Sequence, residues 1–154
     1  MIESLKSNKW LTQKDCVTFI GFSMSAYHLY TGFLGAPIGE IHYPIHLLFA
    51  VVIIFMTNEY AHLNGFKLFL ARIYDAAMII LAISSTSYLF LNAEYLTTRM
   101  ALFDPVTPVE YALGLCMMLV ILEAARRAVG RALVIVLLFF LISILLYFFF
   151  LLSF

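Results

Sequence analysis

The chain has 154 residues, of which 64% are hydrophobic (Ala, Val, Ile, Leu, Met, Phe, Trp, Tyr, Cys) and 12% charged, with nine Lys plus Arg balancing nine Asp plus Glu. A soluble domain carries roughly 45 to 50% apolar and about 25% charged residues, and a small one keeps too much of its area exposed to hide such an excess. These values argue against a water-soluble globule and exclude a disordered tail, a secreted disulfide scaffold and a nucleic-acid module, since no basic field exists to attract phosphates. The mean hydropathy of +1.02 points to lipid as the solvent. Cys16 and Cys116 lie beside or within apolar runs, where small buried side chains are expected in preference to redox or metal ligands.

Crossing a hydrocarbon layer about 30 Å thick takes about 20 apolar residues at a rise of about 1.5 Å. Asp, Glu, Lys and Arg are absent from residues 16–39, 41–58, 76–93, 111–122 and 132–154, which are 24, 18, 18, 12 and 23 positions long. The fourth gap is short, but Thr107-Pro108-Val109-Glu110 reads as a capping box with Thr at N-cap, Pro at N1 and Glu at N3. A helix from Pro108 reaches Arg127 in about 20 residues, with Glu110 at one boundary and Glu123, Arg126 and Arg127 near the other. The expectation is an all-α integral membrane protein, one domain over 1–154, with about five transmembrane helices near 16–35, 40–58, 73–92, 108–127 and 132–153. Between the second and third, Asn64-Gly65 marks a break, and residues 66–72 are expected to form a short interfacial helical stretch. Residues 93–107 are expected to be a loop.

The first span is too long for a signal peptide and lacks a small-residue cleavage site. Lys14 and Asp15 stand where a lipoprotein box needs small residues, so no lipid is expected on Cys16. Lys6, Lys9, Lys14, Lys67, Arg72, Arg126, Arg127 and Arg131 fall on one side of the five spans and only Arg99 on the other. Eight against one places the N-terminus in the cytoplasm and the C-terminus in the periplasm, because positive charges near span ends stay inside. Trp10 and Tyr74 at the inner boundary, and Tyr43, Tyr95 and Tyr111 at the outer, agree with this placement.

Ionisable groups inside a bilayer are costly and are the first places to look for function. His28 and His46 each lie about 10 Å from the outer ends of spans one and two, so adjacent antiparallel helices bring them to one level. They are either a pair of haem ligands or a proton relay, or two neutral imidazoles hydrogen-bonded to neighbouring helices, which two histidines without the rest of a haem pocket favour. Ser84-Ser85-Thr86-Ser87 and the Gly21/Ser25 pair read as close-packing surfaces, the latter for a helix that can belong to another chain. Glu123 is placed for i,i+3 and i,i+4 pairs with Arg126 and Arg127, and Asp75 for a pair with Arg72. No nucleophile elbow, zinc-protease motif, Cys-x-x-Cys, phosphate loop or deep carboxylate pair is present, so neither an enzyme nor a complete carrier is expected, and no cofactor, metal or catalytic residue is assigned.

Several stretches resemble a known family: Tyr27-His28-Leu29-Tyr30-Thr31, Ile45-His46-Leu47, residues 88–95, Leu113-Gly114-Leu115 and above all Leu122-Glu123-Ala124-Ala125-Arg126-Arg127-Ala128-Val129-Gly130. In order, over residues 20–145, they are similar to the N-terminal part of the fused permeases of tripartite ATP-independent periplasmic (TRAP) transporters, TAXI branch. Val134 departs from an expected proline, Glu110 from a commoner aspartate, and the chain stops at Phe154 instead of continuing into the permease, which suggests a separate subunit or a fragment of a fusion. The resemblance implies a non-catalytic small subunit of the bacterial inner membrane. Its partners would be membrane lipid, a large elevator-type permease subunit that it braces, and a periplasmic solute-binding protein that delivers a small organic acid for ion-coupled uptake. It implies Glu123, Arg126 and Arg127 as the scaffold contact, with His28 and His46 as further partner-interface candidates. The alternative is a haem-bearing anchor of a respiratory enzyme.

Overall fold

The computed structural model describes residues 2–57, 60, 63–100 and 103–152, with side chains for 13–57, 60, 63–100 and 103–151. Among them the chain is all helical: α1 (Ile2–Leu34), α2 (Gly39–Thr57), α3 (Gly65–Leu91), α4 (Ala93–Thr98), α5 (Pro108–Ala128) and α6 (Arg131–Leu152). Three of these, α2, α5 and α6, are long and apolar enough to cross a membrane. The side chains of Lys6, Lys9 and Trp10 lie outside the described residues.

The helix limits depart from the sequence reading where no residue interrupts helix formation. Residues 2–15 contain neither Gly nor Pro, so α1 starts at Ile2, well ahead of residue 16. From Phe66 to Leu91 the same holds, and the stretch expected as a separate interfacial helix is the first part of one 27-residue helix, α3. The break falls at Asn64 and Gly65 as expected. The expected loop 93–107 holds α4, because Asn92 both ends α3 and starts the next helix: its N–H and its side-chain Nδ2 donate to the Tyr88 carbonyl at 3.1 and 2.9 Å.

At Thr107 the capping box is present in both directions. Glu110 N–H donates to Thr107 Oγ1 at 3.3 Å, and Thr107 N–H donates to Glu110 Oε2 at 2.6 Å. Two otherwise orphaned donors are thereby satisfied. Gly130, at φ +109°, ends α5 and lets the chain reverse into α6, a conformation closed to residues with a Cβ.

The core is small and shared by three helices. Val51 and Phe55 of α2, Ala82 of α3, and Val120 and Ala124 of α5 are the buried apolar residues among those described. Met78, Ile79 and Met117 pack around them. Among the described residues α1 packs on α2 alone and α6 on α5 alone, so the bundle is a three-helix centre with two outer wings. It exposes 11574 Å², against about 7,900 Å² for a compact soluble monomer of this mass. None of the most apolar window of α6 is buried.

Cys16 is exposed and Cys116 half-buried, both as free thiols. The expected burial of Cys16 is thus corrected: it lies on the wing helix, which has a neighbour on one side only. Ser85 and Thr86 are buried, Ser85 against α5 through its bond to the Leu113 carbonyl, whereas Ser84 and Ser87 are exposed. Gly21 has open space around its missing Cβ and Ser25 is exposed, its hydroxyl donating back to the Gly21 carbonyl at 3.0 Å. This small-residue face has no partner among the described residues.

Replacing Gly130 with Val should cost about 1 to 3 kcal/mol through backbone strain alone, since a Cβ there meets no atom within 4 Å. A lowered thermal midpoint in detergent, with unchanged helix content, is the expected result.

Candidate functional site

Two polar clusters stand out against this apolar frame. The first is a charge network at the end of α5. The Arg127 guanidinium donates through one terminal nitrogen to Asp75 Oδ1 of α3 at 2.7 Å, and through Nε to Glu123 Oε1 at 2.7 Å. Its side chain is 7% exposed and that of Asp75 8%. Arg127 also lies over two rings, with Cζ 4.3 Å from the centre of Phe55 and 5.6 Å from that of Tyr74. One residue of α5 thus reaches α3 by a charge and α2 by a π face.

The network closes on both sides. Arg126 donates through Nε and a terminal nitrogen to both oxygens of Glu123 at 2.7 Å each, a bidentate pair. The Tyr60 hydroxyl donates to Asp75 Oδ1 at 2.9 Å, and the Arg72 guanidinium sits 5.9 Å above the Tyr60 ring. Two carboxylates therefore balance two guanidinium groups, which is what lets the cluster be desolvated. Asp75 Oδ2 is buried with no hydrogen-bond partner among the described residues, both donors having converged on Oδ1.

The pairs of Glu123 with Arg126 and Arg127 are those the spacing called for. For Asp75 the local rule failed, because its partner is Arg127, 52 residues away, and not Arg72. Each available signal was in the charge count. Glu123 alone cannot neutralise two arginines, and Asp75 in the first half of α3 lies level with the end of α5 when the two helices run antiparallel. Arg127 is turned inward, whereas the Arg126 side chain keeps 43% of its exposure.

The second cluster joins α1 to α2 near the opposite end. His28 Nε2 and His46 Nδ1 are 2.7 Å apart, and His28 Nδ1 lies 2.7 Å from the Met24 carbonyl. The carbonyl can only accept, so Nδ1 of His28 carries a proton and donates to it, and a second proton lies between His28 Nε2 and His46 Nδ1. An iron held between two imidazoles needs about 4 Å between nitrogens, at about 2 Å per bond. In this arrangement the two rings stand edge to face, 77° apart, as a hydrogen-bonded pair. Beside them the Tyr27 hydroxyl and His42 Nδ1 are 3.0 Å apart with stacked rings. His42, absent from the sequence reading, sits one turn before His46 on α2 and could have been found from that spacing. His28 is half-buried and His46 exposed. The other end of this helix pair is tied by Gln13, whose side-chain amide donates to the Met56 carbonyl.

Among the described residues no three of His, Cys, Asp and Glu are grouped to hold a metal ion. Compared with protein-family models, with curated proteins and with solved structures, the chain matches none.

Removing one member of a buried ion pair strands the other charge and costs about 3 to 5 kcal/mol, whereas apolar replacement of both is close to neutral. Arg127→Ala should therefore lower stability sharply, and the Asp75→Leu/Arg127→Met double variant should recover most of the loss. Thermal unfolding of the detergent-purified protein compares the three.

Proposed function

We propose that the chain is the small membrane subunit of a TAXI-type TRAP transporter, a non-catalytic brace for a large elevator-type permease that takes up a small organic acid from a periplasmic binding protein. The resemblance of residues 20–145 to the N-terminal part of fused permeases motivates this reading. The observation that carries it is the mismatch between a rigidly tied centre and a large unpartnered surface. Arg127 locks α2, α3 and α5 together, yet α1 and α6 each touch one neighbour. A carrier needs an interior that opens and closes around a solute, whereas a brace needs a fixed shape and wide outward faces.

In this reading all five long helices span the inner membrane, with the N-terminus cytoplasmic and the C-terminus periplasmic. Helices α1 and α3 carry their charged residues at the cytoplasmic end, and the charge network lies at that boundary. Tyr43, Tyr95 and Tyr111, all exposed, then mark the periplasmic one. An outward hydroxyl at membrane depth, such as that of Ser87, is expensive against lipid and is met by a partner helix. Arg126 is the member of the charge network left on the surface, and it is the contact we assign to the permease, while Arg127 holds the subunit together.

Coexpression with the permease and binding protein of adjoining reading frames tests this. A stable complex, uptake that needs all three, and a periplasmic location for a reporter fused after Phe154 are expected. Arg126→Lys, which keeps the charge balance with Asp75 and Glu123 but loses the planar fork, should weaken the complex with the subunit's own thermal midpoint little changed. Uptake that proceeds without this chain, or unaltered assembly in the variant, would count against the brace.

A further inference from the structure

A groove of about 610 Å³ runs along α5 between α3 and α6, two helices whose backbones do not come together among the described residues. Its walls are apolar, with Leu89 from α3, Leu113 and Met117 from α5, and Leu137 and Leu141 from α6. At its lining the Ser85 hydroxyl donates to the Leu113 carbonyl at 3.2 Å, so its proton is not offered to a ligand. Lining residues on α5 extend from Glu110 to Leu122, about 18 Å by helical rise. Half of a hydrocarbon layer is about 15 Å deep, so the groove is one leaflet long.

Its mouth, beside α4, is the only charged part. Arg99 donates through one terminal nitrogen to Glu110 Oε1 at 3.1 Å, and its side chain is 23% exposed. The other oxygen of Glu110 accepts from the Thr107 N–H, so this carboxylate is held by the helix cap and by Arg99 together. The remaining guanidinium donors have no acceptor among the described residues. A planar fork with spare donors at the boundary of an apolar slot matches an anionic phosphodiester whose hydrocarbon tail enters the slot.

We propose that this groove is a binding site for one phospholipid of the leaflet on the α4 side, with its phosphate on Arg99 and one acyl chain lying along α5. Gly114 makes room for the chain: a Cβ built on it meets nothing within 4 Å, although it lies mid-helix where glycine otherwise only weakens the helix. The site does not depend on the transport reading. It requires only that α5 and α6 lie in lipid.

The test uses the full chain in vesicles of phosphatidylethanolamine and phosphatidylglycerol, doped with a phospholipid carrying a photoreactive group midway along one acyl chain, the adducts being mapped by mass spectrometry. Label should concentrate on residues 113–121. Gly114→Phe, which fills open space, should abolish that adduct while helix content and thermal midpoint hold. Arg99→Gln should reduce it roughly tenfold, the size expected for one charge-assisted contact, and a photoreactive free fatty acid should label wild type and Arg99→Gln alike. Label spread equally over the exposed face of α6 and unmoved by Gly114→Phe would overturn the site. A phosphate-independent signal, with Arg99→Gln taking up the phospholipid as wild type does, would overturn the headgroup assignment. Exclusion of the lipid by a copurifying membrane subunit would show a protein occupant instead, and would also overturn it.

Discussion

The ion pair between Arg127 and Asp75 is the constraint on which the rest of the bundle depends. In an apolar surround, helices gain little by hiding apolar surface from one another, so association rests on packing and on polar contacts. The buried apolar core here is correspondingly slight, at five residues among those described. A guanidinium that is 7% exposed, shared between carboxylates on α3 and α5 and faced by the Phe55 and Tyr74 rings, supplies direction that apolar packing lacks. It fixes the rotation of α5 about its axis, because Arg127 has to meet Asp75 while Val120 and Ala124 meet α2 and α3. The neutrality of the set, two acids against two arginines, makes its burial tolerable.

From that fixed centre the outward features acquire meaning. The wings α1 and α6 are held by single neighbours, α1 through the Tyr27–His42 and His28–His46 contacts and the Gln13 amide, α6 through apolar packing and the Gly130 turn. What remains on the outside is unusually mixed. There is a polyaromatic and aliphatic helix, α6, suited to lipid all round, and there are faces that expose polar groups, Ser25 on α1 and Ser84 and Ser87 on α3. A tied centre with surfaces of both kinds is what the proposed brace requires, and the apolar groove along α5, between α3 and α6, is one of those surfaces.

The legible parts of this fold were those governed by local rules. Thr107 and Glu110 form their capping box because it needs only three residues and a bend. Glu123 meets Arg126 and Arg127 because i,i+3 and i,i+4 neighbours share a helix face. His28 and His46 meet because a short turn forces α1 and α2 to run antiparallel, which sets equal depths on both. Less was legible where continuity competed with polarity. Charged residues in 2–15 and 66–72 signal the edge of an apolar layer and not the end of a helix, so α1 and α3 run on beyond the expected spans, while Asn92 restarts a helix inside an expected loop.

By itself, then, the sequence determined that the chain is helical, with helices apolar enough to cross a membrane, where it breaks at Asn64-Gly65 and restarts at Thr107, and which side chains pair within a helix, since each of these follows from hydropathy, glycine and cap chemistry over a few residues. Only the tertiary structure decided that Asp75 turns to Arg127 over its near neighbour Arg72, that Arg127 points inward and Arg126 outward, and that a leaflet-deep groove opens between α3 and α6. Those outcomes depend on how α5 is rotated against α2 and α3. That rotation is the joint minimum of packing around Val51, Phe55 and Val120 and of one buried charge seeking its counter-charge, a balance that no stretch of the chain contains alone.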